Sequence, residues 1–366
     1  MHSSYYYCVG SLLVVILFSS LLLLNNNGNY FEKSYNNNIY NNENDFFSFK
    51  FLQNSYAIED NNSNGNSNED NSDDNNKDKD DDASDNKKEE EENNNKSLFN
   101  FVAVGDWDCN GETKDTVKNI IDQDPEVVLA LGDLSYNGKA KCWLKLVEPI
   151  ADKTKIVFGN HEDKLEDDYS EFFGLKEQYY SFNYKNVHFL ALSTETDYDD
   201  ESEQYQFAAN DLEKYSKDPL IDWIIVFYHS FVYGSGSSLP EESDFRETYH
   251  PLFDKYKVDL ALQGHFHVYE RTYPISFNDD DDDEPIVNDD NPNIYKNPKG
   301  TVFVTVGTGG AQNMILSSRE DFSAEGIDGK FGILDIALEN DRHTLTGTFI
   351  ENGKKKEVMD EFKIVK

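Results

Sequence analysis

Basic residues are scarce in this chain: 33 lysines and arginines stand against 71 aspartates and glutamates over 366 residues, a formal charge of −38. That shortage argues against a nucleic-acid partner, because phosphate backbones are bound through Lys and Arg. Anionic membrane surfaces are disfavoured for the same reason. Part of the excess lies in one stretch, Glu59 to Lys96, with 15 acidic residues and five lysines. Most of it belongs to the rest of the chain. Cysteine is also rare: beside Cys8 there are only Cys109 and Cys142.

Long apolar runs are missing too, with one exception. Val9 to Leu24 (VGSLLVVILFSSLLLL), or Tyr5 to Leu24 if the tyrosines count, precedes an abrupt switch to Asn25, Asn26 and Asn27. This reads as a secretion signal or as an uncleaved signal anchor. The region before it holds only His2 besides the amino group, and no small-x-small cleavage site follows Leu24. Either way the domain that follows faces outside, secreted or membrane-anchored on the extracytoplasmic side. Residues 1–24 are therefore assigned to the signal segment and 25–97 to an Asn/Asp/Glu-rich spacer, expected to be disordered because it offers almost nothing apolar to offset ordering entropy. Within the spacer, the aromatic stretch Phe46 to Tyr56 is a candidate to dock on the domain, and Asn61 and Asn95 match the glycosylation acceptor pattern.

What is present begins at Phe99, and residues 98–366 read as one folded domain. Its apolar runs are short, rich in β-branched residues and closed by turn residues: FVAV before Gly105, VVLAL before Gly132, IVF before Gly159, VHFLALS, WIIVFYH, VDLALQ before Gly264 and TVFVTV before Gly307. Such runs are strands buried on both faces. Helical patterns lie between them at Thr113 to Ile121, Glu203 to Tyr215 and Ser243 to Tyr256. The alternation means α/β architecture, with functional loops at the carboxyl ends of strands. Cys109 and Cys142 follow two strands that should be neighbours, so a bridge between them is expected. An acidic insertion at 278–298, with Asp279 to Glu284 and three prolines, interrupts the pattern; a solvated charge run explains it better than a calcium site. Phe331 to Lys366 reads as a terminal β-meander with a turn at Glu351-Asn352-Gly353.

Polar residues with metal-ligand chemistry recur where a strand has just ended. Asp106 follows FVAVG, Asp133 follows VVLALG, Asn160 follows IVFG, His229 ends WIIVFYH, and His265 and His267 follow VDLALQG. Taken singly, each is a turn residue or a satisfied histidine as readily as a ligand. Their repetition on five strand ends, with donors suited to Fe, Zn or Mn, points to a metal site on one rim.

Together with Tyr136 these residues carry a resemblance. Gly105-Asp106, the G-D-x-x-Y run Gly132 to Tyr136, Gly159-Asn160-His161-Glu162, His229 in Val226 to His229, and Gly264-His265-Phe266-His267 resemble the motifs of the calcineurin-like metallophosphoesterases, and within them the purple acid phosphatase type. Tyr269-Glu270-Arg271 and Gly307 to Gly310 are similar to that group as well. The resemblance implies a four-layer αββα sandwich of two mixed sheets. It implies Asp106, Tyr136 and His267 on a ferric ion, Asn160, His229 and His265 on a divalent ion (Fe, Zn or Mn), and Asp133 bridging. The implied activity is hydrolysis of phosphate monoesters by a metal-activated water or hydroxide, with a phosphodiester or nucleotide as the alternative substrate and a non-catalytic surface binding protein as the alternative class. The acidic surface repels a small phosphorylated substrate at long range, so bound metal ions would have to supply the local positive charge.

His161 is expected to face substrate and to stabilise the phosphoryl group or protonate the leaving alkoxide, with Glu162 orienting its other nitrogen. His188 and His250 read as structural. Two departures from the group's pattern stand out: Asp108, two residues after Asp106, replaces the usual His or Gly, and Ser230 to Pro240 lacks the further histidines often found there, which leaves Tyr233 within it as a candidate substrate contact.

Overall fold

The computed structural model describes residues 97–366 apart from 238 and 340, together with two short strands, Leu23–Leu24 and Tyr30–Phe31, that pair antiparallel. The remainder of the signal segment and of the spacer, including Phe46 to Tyr56, Asn61 and Asn95, lies outside the described residues. Among the described residues no helix is long and apolar enough to cross a membrane.

From residue 97 the chain runs β1 (Ser97–Val104), α1 (Gly111–Gln123), β2 (Val127–Leu131), α2 (Ala140–Val147), β3 (Thr154–Val157), α3 (Glu166–Phe173), β4 (Tyr180–Tyr184), β5 (Val187–Ala191), α4 (Glu203–Tyr215), β6 (Trp223–Phe227), α5 (Ser243–Tyr256), β7 (Leu260–Gln263) and β8 (Tyr269–Ser276). Then come β9 (Ile286–Val287), β10 (Ile294–Lys296), β11 (Thr301–Val306), β12 (Ser323–Ile327), β13 (Gly332–Glu339), β14 (Thr344–Glu351) and β15 (Val358–Val365).

Two mixed sheets form. In the first the order is β10-β15-β14-β13-β1-β2-β3, with β1, β2 and β3 parallel and the carboxyl-terminal meander β13 to β15 antiparallel. In the second the order is β9-β8-β11-β7-β6-β5-β4, with β5, β6, β7 and β11 parallel and β12 added beside β8. The parallel strands are buried on both faces, as their continuous apolar runs require. Alternate residues of the second sheet divide accordingly. Phe189, Ile225 and Leu262 pack with Phe101 and Ile336 of the first sheet, whereas Leu190, Val226 and Ala261 pack with Leu212 of α4 and Phe253 of α5. Rings meet across the inner layer, with Phe101 5.1 Å from Phe189 and Tyr269 stacked on Phe349 at 4.2 Å.

The helices expected at Glu203 to Tyr215 and Ser243 to Tyr256 have those bounds, and the first is one turn longer than Thr113 to Ile121, capped by the Asn110 side chain on the Thr113 N–H. Cys109 and Cys142 are bridged, with Cα atoms 6.1 Å apart. The Tyr269-Glu270-Arg271 run is part of β8, where the fully buried Arg271 makes a bidentate pair with Asp360 of β15 (2.7 and 3.0 Å) that Tyr269 also joins (2.7 Å). The acidic insertion folds back on another buried arginine: Arg246 of α5 contacts Asp282 (2.6 Å), Asp283 and Glu241.

Candidate metal centre

The motif residues do gather, but not on a single rim. Asp106, Asp133 and Asn160 follow β1, β2 and β3 of the first sheet, whereas His229, His265 and His267 follow β6 and β7 of the second. The centre thus bridges the carboxyl ends of both sheets, and backbone bonds sew that end together: Gly105 N–H to the Val306 carbonyl (2.8 Å), Gly264 N–H to His229 (2.8 Å) and Gly309 N–H to Gly105 (2.9 Å).

Local backbone geometry turns these side chains inward. Asp106, Asp133 and His265 all have positive φ (60°, 47° and 66°), a left-handed conformation that non-glycine residues rarely hold unless their surroundings impose it. Gly132 is left-handed too, and a Cβ there would lie 2.5 Å from His229 Nδ1. Any larger residue would push the imidazole away.

Two donor groups share one carboxylate. Asp133, His229 and His265 present ligand atoms within 4.8 Å of one another, and so do Asp106, Asp133 and His267. His229 Nε2 is 3.4 Å from Asp133 Oδ1 and 3.2 Å from His265 Nδ1. On the other side His267 Nε2 is 3.2 Å from Asp106 Oδ1. The Tyr136 hydroxyl lies 3.0 Å from Asp133 Oδ2, 3.0 Å from His267 Nε2 and 3.4 Å from Asp106 Oδ1. Asn160 is exposed at the turn after β3 and makes no side-chain hydrogen bond among the described residues.

The donor chemistry fits a pair of cations. Nδ1 of His229 donates to the Leu131 carbonyl (2.8 Å) and Nδ1 of His267 to the Gln312 carbonyl (2.7 Å). Each Nε2 is thereby turned toward the carboxylates, the arrangement in which histidine serves a metal. Asp106 and Asp133 are fully buried, and no lysine or arginine among the described residues pairs with either. Without metal the chain offsets this charge with protons. Burial opposes the His229 cation, but Asp133 and then Asp106 push it up to about 10. Burial likewise opposes the Asp133 carboxylate, yet His229 and His161 hold it well below the usual range. Burial, then the charges of Asp106 and Asp133, raise the Tyr136 phenol far above its ordinary value, so that a phenolate there requires a strong cation.

His161 stands at the opening, its side chain 44% exposed, with its backbone N–H on Asp133 Oδ1 (3.0 Å), Nε2 3.9 Å from Asp133 Oδ2 and its ring 4.3 Å from that of Tyr136. Two sequence expectations around the centre need correction. Glu162 does not orient His161: it is buried and accepts N–H bonds from Gly159 (2.8 Å), Leu134 (3.0 Å) and Ser135 (3.4 Å), tying the loops after β2 and β3 together. Tyr233 is not a substrate contact, because its hydroxyl is buried against His250 (2.8 Å) and its ring lies between Phe303 and Phe322. Asp108 turns to Lys139 (3.2 Å) and adds no contact to the centre. His188, held between Asn183 and Asp211 at 2.7 Å each, and His250 are structural as expected. Sequence reasoning missed the carbonyls of Leu131 and Gln312, since a backbone acceptor carries no residue-type signal.

Two mixed sheets with outer helices form the α/β metallophosphoesterase fold, and a paired Asp/His donor set lies at their carboxyl edge. The family profile of the calcineurin-like phosphoesterases matches residues 99–269, and the chain is similar to purple acid phosphatases in sequence and in structure. It is 29% identical over 270 residues to purple acid phosphatase 18 of Arabidopsis thaliana, covering 67% of this chain and 58% of that one. A solved purple acid phosphatase from yellow lupin (Lupinus luteus) seeds superimposes with a TM-score of 0.61 at 25% identity, over 73% of this chain and 53% of that one. GAP50, the anchor in the inner membrane complex of Plasmodium, shares the fold at 18% identity with a TM-score of 0.55, over 74% and 89%. The chain therefore spans little more than half the length of these purple acid phosphatases.

Proposed function

We propose that this chain is an exported phosphomonoesterase with two metal ions, Fe(III) held by Asp106, Tyr136 and His267, a divalent ion (Fe, Zn or Mn) held by Asn160, His229 and His265, and Asp133 between them. The observation that carries the reading is the sharing of Asp133 by two donor groups, with Tyr136 in hydrogen-bond reach of Asp106, Asp133 and His267. Two such ions would polarise the phosphoryl oxygens and acidify a water for in-line attack. His161 is at the opening with a free ring edge, suited to giving the leaving oxygen its proton. The P–O bond to water forms, the bond to the alcohol breaks, and the alcohol departs with that proton. Glu162 serves as the brace that fixes the loops bearing Tyr136 and Asn160.

Export is supported by the apolar run Val9 to Leu24, whether cleaved or kept as a tether, and by the Cys109–Cys142 bridge, which suits an oxidising compartment. The acidic charge argues against a nucleic-acid partner, and the two ions would supply the positive charge that a small phosphorylated substrate needs.

Purified protein should contain two metal ions per chain, show a visible tyrosinate-to-iron band, and hydrolyse a chromogenic phosphate monoester faster than a diester. A fully metallated sample that leaves the monoester intact sinks the reading, and a colourless, iron-free, active one sinks the ferric assignment alone. The shared fold of the Plasmodium anchor favours one competitor, a non-catalytic binding protein, for which two bound ions per chain are not required.

A further inference from the structure

The segment that lacks the histidines often found after the His229 motif has apolar side chains instead. Phe231 lies two residues past His229, is fully buried, and stacks against His265 with ring centroids 6.0 Å apart. It packs on Phe266, between the two candidate ligands His265 and His267, at 5.5 Å. Leu239, Met314 and Leu316 lie against this pair, each half-buried, and Ile315 between the last two is 77% exposed. The loop bearing them is tied to the centre at its root, since the Gln312 carbonyl accepts from His267 Nδ1 (2.7 Å) and the Met314 N–H donates to the His267 carbonyl (3.2 Å). Ser317 Oγ clasps the Gly236 carbonyl (2.6 Å), holding this loop against the one that follows β6. The cluster's inner members Phe231, Phe266 and Val268 are fully buried, so what it shows to solvent, beside the loop bonded to His267, is Leu239, Met314 and Leu316 in part and Ile315 outright.

Acidic side chains dominate the nearby charges. The cation of this loop, Arg319, is occupied by Glu325 (3.5 Å). Beyond His229, Ser230 N–H bonds Thr194 Oγ1 (3.2 Å), and the next residue is Glu195, followed by Asp197 and Asp199. A leaving group with further phosphates would meet carboxylates and no free cation there. An uncharged apolar one would meet a surface that stabilises it by leaving water.

Building on the phosphomonoesterase reading, we propose that this apolar shelf receives the leaving group, and that the enzyme selects phosphate monoesters of apolar alcohols, alkyl or aryl, over those of charged or polyphosphorylated ones. The n-alkyl phosphates test this, because leaving-group basicity hardly changes with chain length. From ethyl to octyl phosphate, kcat/KM should rise by roughly twofold per methylene until the shelf is covered, below the full value for burying a methylene because the shelf is open on one side. Calorimetry with octylphosphonate and ethylphosphonate, which are not hydrolysed, should show the same ordering in Kd with a more negative heat-capacity change for octyl. Ile315→Asp, at an exposed position that leaves the core intact, should collapse the octyl-to-ethyl ratio of kcat/KM at least fivefold. Equal kcat/KM for ethyl and octyl phosphate overturns the shelf while sparing the phosphatase. Failure to hydrolyse either overturns both.

Discussion

Two clusters of carboxylates in this protein differ in where their counter-charge comes from. Glu241, Asp282 and Asp283 converge on the buried guanidinium of Arg246, and Asp360 on that of Arg271, so each group faces a fixed cation the chain carries itself. Asp106 and Asp133 are buried more deeply than the carboxylates on Arg246, yet their contacts are imidazoles and a phenol. Leaving buried charge uncompensated costs several kcal/mol per ion. An arginine closes a cluster for good, while protons on histidine can be exchanged for metal. The first arrangement is architecture and the second is a socket.

The sharpest way to break this contrast is at the shared carboxylate. Asp133→Asn should reduce turnover on the order of a thousandfold or more and lower metal content in both halves, as read by elemental analysis beside kcat. Loss of one ion only would mean that Asp133 does not bridge. Next in size is the architectural side: Arg271→Ala should destabilise the fold by about 3–5 kcal/mol, because Asp360 is left buried and unpaired, while metal content stays at two ions per chain. Guanidinium unfolding with metal analysis separates the two effects. Tyr136→Phe should abolish the visible band and leave the fold within about 1 kcal/mol of wild type; a band that persists assigns the colour to another ligand.

A smaller effect belongs to His250, which has no arginine or metal to share. Burial above all, against the Ile275 carbonyl, lowers it to about 3. The unfolded chain takes up a proton below about pH 6.5 and the native chain does not until about pH 3, so stability present above 6.5 is lost as pH falls through that window, by up to about 1.4 kcal/mol per unit. His250→Gln should flatten the slope of unfolding free energy between pH 6.5 and 4.5, and an unchanged slope would assign it elsewhere. Smallest is Asp108→Ala. Its partner Lys139 is 43% exposed, so stability should change by no more than about 1 kcal/mol and turnover by less than twofold.

The parallel strands and the ligand positions were legible in the sequence for one reason. A strand buried on both faces is a continuous apolar run, and the residue after it is placed by that strand alone, as Asp106 is by β1 and Asp133 by β2. The division of those strands between two sheets was not legible, because pairing is decided by contacts between distant segments. β8 escaped notice since its buried run is polar on both faces: Glu270, Arg271 and Thr272 are satisfied by partners far away in sequence. α3 escaped because its residues Glu166 to Phe173 bury little beyond Tyr169. Around the centre, the errors fell on side chains whose orientation depends on a neighbouring loop. Glu162 turned to backbone amides and Tyr233 turned into the core.

The Cys109–Cys142 bridge closes a covalent ring across a sequence separation of 33. Asp133 and Tyr136 lie inside that ring, and Asp106 stands three residues before it. In the unfolded chain such a closure removes conformational freedom equivalent to about 4 kcal/mol on a chain-entropy estimate. Its kinetic corollary concerns reloading. With or without ions bound, Asp133 and Tyr136 stay on that short leash, so the candidate centre would not have to be rebuilt to be refilled.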